Sequence, residues 1–80
     1  MTAYRDVPIR DEEIRLGQLL KLADLVEAGS DVKPLLEQGR VKVNGEVESR
    51  RGRRVVKGDE VSLTVVSPEG PAEELTVRVV

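Results

Sequence analysis

Arg50, Arg51, Arg53 and Arg54 place four guanidinium groups within five consecutive residues, interrupted only by Gly52. Guanidinium is permanently charged and offers a planar fork of donors, so this spacing suits an anion with several charges, such as a phosphate chain. Crowding like charges costs self-repulsion that a bound polyanion relieves, whereas the plainer alternative is a solvated hairpin. The arginines lie in a longer basic segment. From Arg40 to Lys57 the chain has seven basic residues against Glu46 and Glu48, a local charge of +5, while the remainder holds six basic and thirteen acidic residues, or −7. The total of 13 basic against 15 acidic residues therefore conceals a polarised domain. A Debye length of roughly 8–10 Å at physiological salt is short enough for the two regions to act separately.

Other chemistry is largely excluded by what is missing. With no Cys and no His there is no disulfide framework, zinc finger or imidazole relay, and no metal site is expected. Ser30, Ser49, Ser62 and Ser67 lack an imidazole partner, and no phosphate-cradling glycine loop of the Walker or dinucleotide type occurs. Neither an enzymatic role nor a cofactor is expected. Tyr4 is the single aromatic residue, so a ligand gripped by aromatic stacking is not expected either. The apolar runs are far shorter than the roughly 20 residues that span a bilayer, and a cytoplasmic protein without a membrane partner is expected.

Eighty residues form one domain, expected over 1–80, with a thin core. Residues 1–15, with Val7, Ile9 and Ile14 around Pro8 and the acidic run Asp11, Glu12 and Glu13, read as an extended segment or edge strand. Leu16, Leu19, Leu20, Ala23 and Val26 recur at helical steps, widened by Leu22 and Leu25, and predict an amphipathic helix ending near Ala28-Gly29. Ser30-Asp31 signals a second start, with Val32, Leu35 and Leu36 on the buried face of a short helix closing at Gly39. Pro34 is tolerated at its third position, where no intrahelical donor is needed.

Beyond Gly39 the period becomes two. Val41 and Val43 alternate with Arg40 and Lys42, Asn44-Gly45 supplies a type I′ turn, and Val47 begins the return strand. Val55-Val56, a turn at Lys57-Gly58-Asp59 and a strand through Val61, Leu63 and Val65 follow. After the loop Ser67-Pro68-Glu69-Gly70-Pro71, a strand through Leu75, Val77 and Val79 completes a C-terminal β-hairpin over about 60–80. The expected fold class is α+β, two consecutive short helices packed on a small curved antiparallel sheet.

Four stretches together resemble a known family: residues 14–25, Leu35 to Gly45 (Leu-Leu-Glu-Gln-Gly-Arg-Val-Lys-Val-Asn-Gly), Arg50-Arg51-Gly52, and Lys57 to Val61 (Lys-Gly-Asp-Glu-Val). The resemblance is to the RNA-binding domain named for ribosomal small-subunit protein four, the S-four domain, and within it to short stand-alone bacterial members. It covers about residues 14–63. It implies a two-helix αL motif on a small sheet, binding structured RNA of the ribosomal or transfer class, in some cases on ribosomal particles, without catalysis. The family commonly has Asp where this chain has Gly17, and Arg where it has Gly29.

The lack of aromatic platforms disfavours reading of splayed single-stranded bases and leaves phosphate, 2′-hydroxyl and shape contacts, though a guanidinium plane can still stack on a base. Arg50, Arg51, Arg53 and Arg54 are candidates for those contacts. Arg40 and Lys42 share one face of their strand. The resemblance adds Arg15, Lys21 and Lys33 on the helices. Each has a plainer reading: Lys21 solvated on a polar face, Lys33 exposed in a first turn, Arg15 paired with Glu12 or Glu13. The strongest expectation falls on Arg50, Arg51, Arg40 and Lys42. A rival function is a protein-interaction module docking an acidic partner or ribosome assembly factor on the same basic surface. A small β-grasp carrier is disfavoured because the chain ends Val-Arg-Val-Val rather than in a Gly-Gly tail. A monomer is expected.

Overall fold

Leu16, Leu19 and Leu20 lie on one side of a helix, α1 (Leu16–Leu22), and all three are fully buried. The structure is a computed structural model that describes residues 2–26, 32–65 and 69–80. The helix is shorter than its apolar stripe. Rather than continuing toward Ala28-Gly29, α1 stops at Leu22, because Asp24 takes a left-handed φ of 58°. The N–H groups of Asp24 and Leu25 turn back to the carbonyls of Lys21 and Leu20 at 3.1 and 2.9 Å, the double bond of a Schellman cap. Arg5 donates from its guanidinium to the Ala23 carbonyl at the same end. Ala23 and Val26 remain buried, but in the turn and the chain beyond it. Leu22, expected to widen the apolar stripe, is half exposed instead.

Ala28, Gly29, Ser30 and Asp31, which carry the expected end of the first helix and start of the second, lie outside the described residues. Helix α2 (Val32–Glu37) has Pro34 at its third position and buries Val32 and Leu36. Gly39 ends it with a φ of 69°, its N–H and that of Arg40 bonding to the carbonyls of Leu36 and Leu35.

Among the described residues seven strands follow along the chain: β1 (Thr2–Val7), β2 (Glu13–Arg15), β3 (Val41–Val43), β4 (Glu46–Val47), β5 (Arg54–Val56), β6 (Glu60–Val65) and β7 (Glu73–Val79). Five make one sheet in the order β1-β7-β6-β3-β4, and β2 pairs with β5 in a separate two-stranded ribbon. Asn44 and Gly45 have φ of 52° and 86°, the two left-handed positions that a type I′ turn requires, and Val43 faces Glu46 across it. Strands β6 and β7 run antiparallel from Glu60↔Arg78 to Val65↔Glu73. Ser67 and Pro68 of the expected loop lie outside the described residues.

The sheet is mixed, which corrects the expectation of a wholly antiparallel one. Strand β1 runs parallel to β7, from Thr2↔Glu74 to Val7↔Val79. Parallel pairing needs a long crossover, and here nearly the whole domain intervenes between the two partners. The helices and the sheet share one core: Leu16, Leu19, Leu20, Val32 and Leu36 meet Val41, Val43, Val61, Leu63, Val77 and Val79. At roughly 25 cal/mol per Å² of apolar surface removed from water, this cluster is the main stabilising term of so small a domain. Residues 14–15 and 54–55 are tied to it through Val55, which is fully buried.

Candidate nucleic-acid interface

The arginine loop is organised by an acid. Glu48 has only 7% of its surface exposed. Its Oε2 accepts the backbone N–H groups of Ser49 and Arg50 at 2.9 and 3.1 Å and the Arg50 Nε at 3.3 Å. Its Oε1 faces Arg50 Nη2 at 3.3 Å and Arg53 Nη1 at 3.5 Å. These donors favour the ionised form, Arg50's side chain most of all, and hold the carboxyl at a pKa of about 2 against burial, which acts the other way. One carboxylate between two guanidiniums closes the turn, aided by the Arg53 N–H donating to the Arg50 carbonyl at 3.2 Å.

The loop in turn caps a helix. Helix α1 starts after Arg15 with no side-chain cap, leaving its first N–H groups in need of acceptors. Leu16 donates to the Arg53 carbonyl and Gly17 to the Arg51 carbonyl, each at 2.9 Å. Arg15 adds a bond from Nη1 to the Gly52 carbonyl at 2.8 Å. Arg15 therefore reaches the loop, and not Glu12 or Glu13. Glu13 sits 3.7 Å from Arg54 instead.

The Arg51 and Arg53 carbonyls are directed at α1, and Arg50, Arg51 and Arg54 stay exposed while Arg53 is half-buried against Glu48. Arg51 is exposed and lines a cleft of about 330 Å³ with Arg15, Gln18 and Lys21. Residues 15, 18 and 21 recur every three along the start of α1, which puts them on one side. A shallower recess is lined by Arg15, Arg50, Arg53 and Arg54 around Gly52. The two recesses share Arg15 and Gly52. Six cations thus surround one loop, offset by the carboxylates of Glu48 and Glu13.

Lys33, Arg40 and Lys42 line neither recess. Lys33 is exposed and 4.0 Å from Glu37 one turn on, the arrangement of an ordinary surface pair. Arg40 lines a different groove, with Asp24, Leu25, Pro34 and Leu35. Lys42 is half-buried beside Ser62 and Val47 across the sheet. The expectation that ranked Arg40 and Lys42 with Arg50 and Arg51 drew on strand period and on the family resemblance, and strand period orders residues along one strand and says nothing of the neighbouring loop. The same reasoning missed Glu48, which entered only as an offset to charge, and Gln18. The one local sign of Glu48 was its place two residues before the first arginine. Tyr4 lies on β1, where its hydroxyl donates to Glu60 and the Arg78 guanidinium stands 5.5 Å from its ring centre. It lines neither recess.

Among the described residues no group of three or more acidic side chains could hold a metal ion, and no helix is long and apolar enough to cross a membrane.

Comparison with known proteins gives the geometry a family. The chain is 44% identical over 57 residues to the "Probable ribosome maturation protein RlbA" of Bacillus subtilis, a match that covers 71% of this chain and 80% of that protein. It is 41% identical over 50 residues to the "Putative RNA-binding protein YbcJ" of Escherichia coli, covering 62% of this chain and 71% of that one. Residues 7–67 match the S4 domain, a span that takes in α1, α2 and the whole arginine loop. This chain belongs to the S4 domain family.

Proposed function

We propose that this protein binds structured RNA, of the ribosomal or transfer class, through the cationic surface that α1 and the arginine loop form together, and does no chemistry of its own. The observation that carries the reading is the gathering of Arg15, Lys21, Arg50, Arg51, Arg53 and Arg54 around Gly52 by a loop that Glu48 organises. A solvated charge run has no need of a buried carboxylate to shape it. The names of its relatives support the same reading, one a ribosome maturation protein and one an RNA-binding protein. On this reading α1 and α2 act as the αL motif, ribosomal particles are the natural setting, and the protein works as a cytoplasmic monomer.

Recognition rests on backbone and shape. The cations are presented at different heights along α1 and the loop, which suits phosphates on adjoining segments of a folded RNA better than a flat array would. Lys33, Arg40 and Lys42 add long-range attraction and few direct contacts. The test is a fluorescence titration of the protein against transfer RNA and ribosomal RNA fragments at several salt concentrations. Salt-dependent binding is expected, weakened by Arg51→Ala and Lys21→Ala and little changed by Lys33→Ala. Absence of binding to any structured RNA would overturn the reading and favour an acidic protein partner for the same surface.

A further inference from the structure

The cleft beside Arg51 has a floor unlike its rim. Arg15, Lys21 and Arg51 make the lining cationic, whereas Gly17 adds no charge and Val32, almost fully buried, only backs it. A Cβ at residue 17 would lie 3.5 Å from the Arg51 carbonyl oxygen and 3.8 Å from Val32 Cγ1, so the missing side chain of Gly17 helps leave the space open.

A phosphate has little use for such a floor. The N–H groups of Leu16 and Gly17, the natural anion donors there, are already given to the carbonyls of Arg53 and Arg51. What the loop adds on this side is acceptors. The Arg51 carbonyl takes one bond from Gly17 and the Gly52 carbonyl one from Arg15, and each keeps a second lone pair. Gln18 contributes an amide that both donates and accepts. Acceptors and an amide complement the edge of a nucleobase, which carries donors as well as acceptors, the uncharged Gly17 backbone leaves room for its face, and the cations complement its flanking phosphates. The volume of about 330 Å³ is at the small end of the roughly 300–1,000 Å³ of ligand clefts, the scale of one nucleotide. Arginine planes supply the stacking surface that a chain without nearby aromatics lacks.

We propose that this cleft receives a single extrahelical nucleotide of a folded RNA. The base lies over Gly17, between Gln18 and the Arg51 guanidinium, with its flanking phosphates on Arg15 and Lys21. The inference rests on the RNA-binding reading above and narrows it from shape alone to shape with one extruded base. It also gives Gly17 a role in choosing the target.

Two RNA hairpins with the same stem test it, one fully paired and one carrying a single bulged 2-aminopurine. The 80-residue chain is expected to bind the bulged hairpin at least about fivefold more tightly, the fluorescence of the bulged base changing on binding. Gly17→Gln, whose side chain occupies the cleft, is expected to lose the preference, the bulged hairpin then binding no more tightly than the paired one. Gly17→Ala, with a Cβ in ordinary contact with Arg51, is expected to keep it. Gln18→Ala, at an exposed position, is expected to reduce it. A preference below about twofold in the unaltered protein, or one that survives both Gly17→Gln and Gln18→Ala, overturns the proposal and leaves RNA binding standing. Failure of the unaltered protein to bind either hairpin overturns the function beneath it.

Discussion

Gly17 donates its backbone N–H to the carbonyl of Arg51 at 2.9 Å, so the first turn of α1 is closed by the loop that carries the arginines. Helix and loop are therefore one unit. A change that unsettles the loop also uncaps the helix, and the cations at positions 15, 21 and 51 keep their spacing only while both are intact.

Glu48→Gln tests what organises that unit. The substitution keeps the shape and one acceptor but removes the charge between Arg50 and Arg53. A hydrogen bond to a charged group contributes about 1.5–3 kcal/mol, so unfolding free energy at pH 7 is expected to fall by about 1–3 kcal/mol in urea titrations. An unchanged midpoint and slope would show that the loop holds without its acid.

The same carboxylate sets a pH dependence. Its folded pKa of about 2 lies below the ordinary carboxyl value of 4.5, so the unfolded chain binds the proton more readily. The stabilisation is complete above the unfolded value and is lost as pH falls from about 4.5 toward 2. The difference in stability between the unaltered protein and Glu48→Gln is expected to shrink across that window when both are unfolded in urea at pH 7, 4 and 3.

Salt dependence reports the phosphate contacts. If about four phosphates are neutralised, log affinity falls with log salt at a slope of roughly −3 to −4. Arg51→Ala and Lys21→Ala are each expected to flatten that slope by about one unit without loss of the fold, and Arg50→Ala with Arg51→Ala by one or two, with lower stability because Arg50 also holds Glu48. Equal slopes before and after these substitutions would remove the cleft rim and the loop from the binding surface.

Asp24 offers a gain in stability away from the site. It holds a left-handed φ of 58° at the end of α1, where a side chain costs strain and a negative charge opposes the helix dipole. Asp24→Gly is expected to raise stability by about 0.5–1 kcal/mol, read as a higher Tm, with RNA affinity unaltered.

Local chemistry made part of this protein legible. Asn44-Gly45 can take two left-handed conformations side by side at low cost, so the hairpin and its register followed from two residues. Leu16, Leu19, Leu20, Ala23 and Val26 marked a buried face because apolar period records which side meets the core. The same stripe overran the helix, since burial of Ala23 and Val26 needs only that they face inward, whereas the end of α1 depends on Asp24 and on bonds back to Leu20 and Lys21. The density of arginine from Arg50 to Arg54 located a basic surface, but which cations share it was not written in any period.

Sequence by itself determined the composition of the surface and the identity of most of the core. Tertiary structure alone decided that β1 runs parallel to β7, that Glu48 lies beneath the loop, and that Arg51 stands beside Gly17, Gln18 and Lys21 while Arg40 and Lys42 line other ground. The reason is physical. Helical and strand periods encode only which face of a segment is buried, and the bonds that join α1 to the arginine loop connect residues more than thirty positions apart, where nothing but the packing of the whole core sets the distance.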